Sequence, residues 1–287
     1  MKITAQQSGF TIIEMVIVIV VGGIIASIIA QFITRPMEGY VAQGRRSELV
    51  DIAETALNHI TRDVRQALPN SVRIACGGQC LEILHTLDGG RYRLKPPGNQ
   101  LKFTGSDTLF DSLGPLNSRA LIINNIASTG NSCFNTSPHR WCVSIFNTGN
   151  ATANSYNRDN MVTLTSLVTA SDGISDLIGF DNTEFSTGNT FPYESPNQRF
   201  YVVDTPISFI CSAGEINRYH DYAITAAQPV ASPGGKTGLL ANNVTACNFS
   251  YQSNTATRSG LLTASITVSD SGESITLLQQ AHIVNQP

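Results

Sequence analysis

Between Phe10 and Ile33 the chain carries one ionisable side chain, Glu14, in an otherwise apolar run. A carboxylate at the centre of a membrane-length segment costs about 2.5–3.5 kcal/mol. A glutamate kept there needs a cationic partner, and that pairing is the clearest chemistry in the sequence. The other chemistry-bearing residues are dispersed. His59, His85, His139, His220 and His282 show neither H-x-x-x-H nor H-E-x-x-H spacing and read as structural. The stretch PGGKTG around Lys236 resembles a phosphate loop, but Val230 stands where its first glycine is required. Asp270 and Glu273 in SDSGES are too few acids for a calcium loop, and Ser271-Gly272 reads as a tight hairpin turn. Asp111, Asp172 and Asp176 read as isolated loop acids. These patterns argue against an enzyme and imply no cofactor or metal.

Six cysteines fall as Cys76 with Cys80, Cys133 with Cys142, and Cys211 and Cys247 left over. An even count in an exported chain suggests disulfides, with the connectivity open. Local pairing is expected for the first two couples, because CGGQC and CFNTSPHRWC each enclose a turn-like segment. A zinc site on Cys76 and Cys80 would need two further soft ligands that the sequence does not bring near.

The formal net charge is −3 and charged residues make up 14% of the chain, so no dense basic surface exists for nucleic acid. Polar bulk comes from Asn, Ser and Thr, which suits an exported protein.

The elements that must position Glu14 are legible. About 24 apolar residues rise about 36 Å as a helix, enough to cross a hydrocarbon core of about 30 Å. Ala26 and Ala30 do not form the small-residue cleavage site of an ordinary signal peptide. Pro36, Gly39 and Gly44 predict a bend or loosening in the helix. A second amphipathic helix follows from Arg45, with Leu49, Ile52, Ala53, Ala56, Ile60 and Val64 on one stripe. Asp51, Glu54, Arg62 and Arg65 decorate the other side, and Pro69-Asn70 closes the helix.

Beyond residue 71 short β-rich runs alternate with Gly, Pro and Asn turns. Strands are expected at 72–75, 81–86, 91–95, 121–127, 142–146, 161–168, 199–204, 207–211, 243–251, 260–268 and 274–284. Residues 147–160 and 171–197 read as surface loops. The fold class is therefore α+β: a long N-terminal helix with a C-terminal antiparallel β-rich head.

The segment SGFTIIEMVIVIVVGGIIAS resembles the leader and N-terminal helix of type IV pilins and type II secretion pseudopilins. The shared pattern is a polar leader ending in Gly, then Phe, then Glu four residues on, then an unbroken apolar helix. The resemblance implies a leader over residues 1–9, a transmembrane and assembly helix over 10–34, its amphipathic continuation over 35–69, and a globular head over 70–287. It implies cleavage by a prepilin peptidase after Gly9, N-methylation of Phe10, and a role for Glu14 in assembly. The new amine at Phe10 would lie one helical turn from Glu14, and pairing with a neighbour's amine would set axial register.

RDVRQALPNSVRI further resembles the helix end of J-type minor pseudopilins. FITRPMEGY with ALNHITRDVRQALPNSVRI resembles the MshO-type minor pilins of mannose-sensitive haemagglutinin pili. The implied partners are other minor pilins, the major pilin, the prepilin peptidase and methylase, and the inner-membrane assembly platform, with no nucleic acid. The implied location is the inner membrane with a periplasmic head, then the pilus, at its tip. Counting Lys2 against Arg35, Arg45 and Arg46 would place the head in the cytoplasm; the paired cysteines argue for the outside. Alternatives are a type II secretion minor pseudopilin, and an adhesin or DNA-uptake subunit binding through its head.

Overall fold

In a computed structural model of the chain, the structure describes residues 9–253 and 260–283, without the side chains of residues 31, 33–36 and 38. Residues 1–8 of the expected leader lie outside them. The chain divides into two compact units, Met1–Glu48 and Leu49–Pro287.

One helix, α1, runs from Ile12 to Arg65. Its helical hydrogen-bonding pattern continues through Pro36, Gly39 and Gly44.

In the C-terminal unit the strands are β1 (Arg73–Ala75), β2 (Cys80–Arg91), β3 (Leu109–Asp111), β4 (Cys142–Ser144), β5 (Met161–Thr169), β6 (Asp176–Phe180), β7 (Arg199–Ser212), β8 (Glu215–His220), β9 (Lys236–Ala241), β10 (Val244–Gln252), β11 (Gly260–Asp270) and β12 (Glu273–Ile283). A second helix, α2, spans Arg119–Ser128. One sheet runs β1-β2-β7-β4-β5-β6-β3, with β8 on β7 and β9 on β8; the other runs β10-β11-β12. Every pairing is antiparallel.

Strand β11 buries Leu262, Ala264, Ile266 and Val268 and turns the residues between them outward, the period of a half-buried strand. It turns into β12 through Ser271 and Gly272, both at positive φ, as a two-residue hairpin requires. Residues 49–65 of α1 bury the expected stripe: Leu49, Ala53, Ala56, Ile60 and Val64, joined by Leu57. The stripe shares a core with Ile83 and Phe209 of the large sheet and with Phe249 and Ile266 of the small one. A separate aromatic core gathers Tyr92, Phe110, Phe180, Phe185, Phe191 and Phe200.

Three disulfides pair Cys76–Cys80, Cys133–Cys142 and Cys211–Cys247. The last joins β7 to β10 and so ties the two sheets together.

Several expectations need correction. Residues 121–127 are helical: Ile122 is buried with Ile126 packed beside it in the aromatic core. Asn125 holds the helix by donating to the His139 carbonyl and accepting from Trp141 N. The β-branched run looked strand-like, but its apolar residues meet the core at helical spacing. Residues 171–197 contain β6 and the buried Phe185 and Phe191, and residues 147–160 bury Asn147, Ser155, Tyr156 and Asn160, so neither is only a surface loop. The runs 199–204 and 207–211 form one strand, β7. PGGKTG leads into β9; a Cβ at Gly235 would lie 2.4 Å from the His220 carbonyl, so its glycine admits a neighbouring backbone.

The joint change Cys211→Ser and Cys247→Ser is expected to lower the urea-unfolding stability of the C-terminal unit by about 2–4 kcal/mol. An unchanged midpoint and slope would show that the sheets need no covalent tie.

Candidate functional site

Gly9 and Phe10 stand immediately before α1, which opens where the Thr11 carbonyl accepts from Glu14 N at 3.1 Å and Met15 N at 3.2 Å. Glu14 therefore lies in the first turn of α1, where unpaired amides and aligned peptide dipoles favour a negative group. From Ile12 to Ala30 the mean hydropathy is 2.9 and none of the span is buried. Its nineteen residues rise about 28 Å, close to a hydrocarbon core of about 30 Å. This helix is long and apolar enough to cross a membrane. Among the described residues no cation pairs with Glu14.

The buried acids of the C-terminal unit are treated differently. Asp63, Glu82, Asp111 and Asp176 are each under 5% exposed. Asp63 pairs with Arg218, Glu82 with Arg73, Asp111 with Arg93 and Asp176 with Arg119. Asp111 and Asp176 are thus strand residues with arginine partners, a correction to their reading as loop acids. Asp172 is the exposed one, held down to about 2 by hydrogen bonds from Ser175 and Ile174.

The Glu82 cluster is the most enclosed. Tyr222 Oη donates to Glu82 Oε1 at 2.8 Å and lies 2.6 Å from Ser208 Oγ. Arg73 reaches past the carboxylate to the carbonyls of Ala226 at 2.6 Å and Thr225 at 3.0 Å. Its guanidinium also stacks 3.6 Å from the centre of the Tyr156 ring. Burial pushes the Glu82 carboxyl up, against the opposing pull of Arg73 and Tyr222. Burial, reinforced by the Glu82 charge, raises the Tyr222 phenol as well. A carboxylate held this way pins the 222–227 segment to β2.

One grouping was invisible in the linear pattern. His85 Nδ1 lies 2.6 Å from Asp204 Oδ1 and Nε2 lies 3.1 Å from Gln66 Oε1. His139 Nε2 donates to the Asp204 carbonyl at 2.9 Å. Residues so far apart in sequence meet only because β2 pairs with β7 beside the end of α1. All six cysteines are in disulfides, and among the described residues no three metal-ligating side chains gather.

Residues 4–30 match the family model described as the prokaryotic N-terminal methylation motif. The match includes Gly9, Phe10 and Glu14. No curated protein and no solved structure matches the chain. The motif supports a type IV pilin- or pseudopilin-like protein and suggests a structural subunit. It implies processing by a prepilin peptidase and assembly with other pilins. With the apolar helix, it fits membrane anchoring before assembly into a pilus.

Replacing Arg73 by Gln leaves Glu82 buried without its cation and is expected to cost about 3–5 kcal/mol at neutral pH. The change raises the folded-state carboxyl further above its ordinary value of 4.5. A raised group contributes stability below its unfolded value and loses it as pH rises through the folded one. The deficit should therefore shrink toward pH 4 and widen toward pH 7. A deficit independent of pH in chemical denaturation would overturn this account.

Proposed function

We propose that the chain is a minor pilin of a type IV pilus, of the MshO type found in mannose-sensitive haemagglutinin pili. On this reading it primes or caps assembly through α1, at or near the fibre tip. The observation that carries it is the contrast between acids: each buried acid of the head has an arginine from its own chain, whereas among the described residues no cation pairs with Glu14 in its exposed apolar helix.

Cleavage after Gly9 supplies the missing charge, because it makes Phe10 a cationic chain end one turn from Glu14. In a single subunit the two groups can neutralise each other. In a filament the carboxylate of one subunit meets the amine of the next, and every other stagger leaves a charge in lipid. At about 2.5–3.5 kcal/mol for such a charge, the correct stagger is favoured roughly a hundredfold. N-methylation keeps the amine cationic while trimming its hydration, which suits it to that environment. The MshO-type resemblance over residues 1–75 supports the finer assignment, as does a head of more than two hundred residues. A type II secretion pseudopilin would use the same α1 chemistry, so deletion of the chain separates the two: loss of piliation with normal protein secretion supports the pilus, and the reverse result selects secretion.

Gly9→Val is expected to leave full-length precursor in the membrane, read by immunoblot; normal processing would remove Gly9 from the cleavage site. Glu14→Val should be processed and inserted normally but appear in sheared pili at least about tenfold less than wild type, since its neighbour's amine goes unpaired. Wild-type incorporation would make the carboxylate dispensable. Mass spectrometry of the mature chain should find methylated Phe10 as the first residue, and a start beyond Ala30 would indicate ordinary secretion instead.

A further inference from the structure

Three arginines meet in one groove of the C-terminal unit. Arg65 and Gln66 at the end of α1, the outer part of β2 up to Arg91, and the start of β7 from Arg199 to Tyr201 surround a volume of about 520 Å3. That lies within the range of about 300–1,000 Å3 usual for small-ligand sites. Arg91 and Arg199 are direct cross-strand partners, an arrangement in which like charges repel. The whole chain has only 18 basic residues against 21 acidic ones, so their convergence here is a local reversal of its charge.

Two of the guanidinium groups are held in place. Arg91 Nε donates to the Asn197 carbonyl at 3.0 Å, and Arg199 donates to the Tyr201 hydroxyl. Among the described residues no carboxylate lies within ion-pair distance of Arg65 or Arg91. The acid in the lining, Asp88, accepts from Gly89 N at 2.8 Å and from Ser118 N, at the start of α2, at 2.6 Å. Beside Arg199 on β7 the half-buried Tyr201 ring lies over Gly89, its cross-strand partner, where an added Cβ would come 3.2 Å from the ring and 2.9 Å from the Phe200 carbonyl. Bare backbone and an aromatic ring therefore line the groove together with the arginines.

We infer that this groove binds a carboxylate-bearing saccharide, such as a hexuronate unit of an acidic polysaccharide. A planar carboxylate matches the fork of a guanidinium, and the apolar C–H face of a pyranose packs on an aromatic ring whose hydroxyl stays polar. An acidic peptide offers the carboxylate but no pyranose face to pack on the ring. Nucleic acid would need a longer basic track than three arginines. The inference does not depend on how α1 assembles.

The test is calorimetric titration of the processed full chain in detergent micelles with a glucuronate-containing disaccharide. Cellobiose, inorganic phosphate and a glutamate-rich peptide serve as comparison probes. The glucuronate disaccharide should bind, weakening as salt rises, and cellobiose should not. Arg91→Gln and Arg199→Gln should each weaken binding about tenfold, the loss of one charge-assisted contact. Arg91→Lys should recover little, because it restores charge without the planar fork. Should Arg199→Gln unfold the protein, the exposed Arg65 and Arg91 carry the test through their own Gln variants. Unchanged affinity in variants that melt like wild type would overturn the inference, as would phosphate or the peptide binding as tightly as the disaccharide.

Discussion

The C-terminal unit depends on one packing interaction, the burial of a single stripe of α1 between two sheets. Leu49, Ala53, Ala56, Leu57, Ile60 and Val64 are almost wholly buried against Ile83, Phe209, Phe249 and Ile266. Removing that much apolar surface from water contributes about 25 cal/mol per Å2. It also explains why small alanines alternate with larger aliphatics, since a helix can approach a sheet closely only where its side chains are short. Helix and both sheets meet in one shared core, and the Cys211–Cys247 bridge adds a covalent tie between the sheets.

Charge follows a second rule, that a carboxylate removed from water needs a cation close by. Inside the head that rule is satisfied four times within the chain, by Arg218, Arg73, Arg93 and Arg119. The arginines come from β8, β1, the segment after β2 and the start of α2, and the Arg218–Asp63 pair joins segments 155 residues apart. The segment around Glu14 contains no cation. On the proposed function, cleavage or a neighbouring molecule would supply one, and folding and assembly would draw on one electrostatic principle.

In the arginine groove cations converge in a chain of net negative charge. The Arg73–Glu82–Tyr222 cluster differs in drawing cation and anion from the same chain, and it holds the 222–227 segment and the Tyr156 ring.

Local pattern by itself determined a great deal. The apolar run with Glu14, the stripe from Leu49 to Val64, the alternation of 260–268 and the Ser271-Gly272 turn all follow from spacing, because helix and strand periods act on near neighbours. The cysteine couples close in sequence were legible for the same reason. Tertiary structure alone decided the rest. Residues 121–127 became helix because the aromatic core rewarded helical spacing over β-branched preference. The supposed loop at 171–197 became β6 because β3 and β5 were there to pair with it. Asp111 and Asp176 turned from loose acids into buried ion pairs, and Arg65, Arg91 and Arg199 became neighbours through the β2–β7 register. Such groupings join residues that a sequence holds tens to more than a hundred positions apart, and only the closing of sheets around a shared core brings them within a few ångströms.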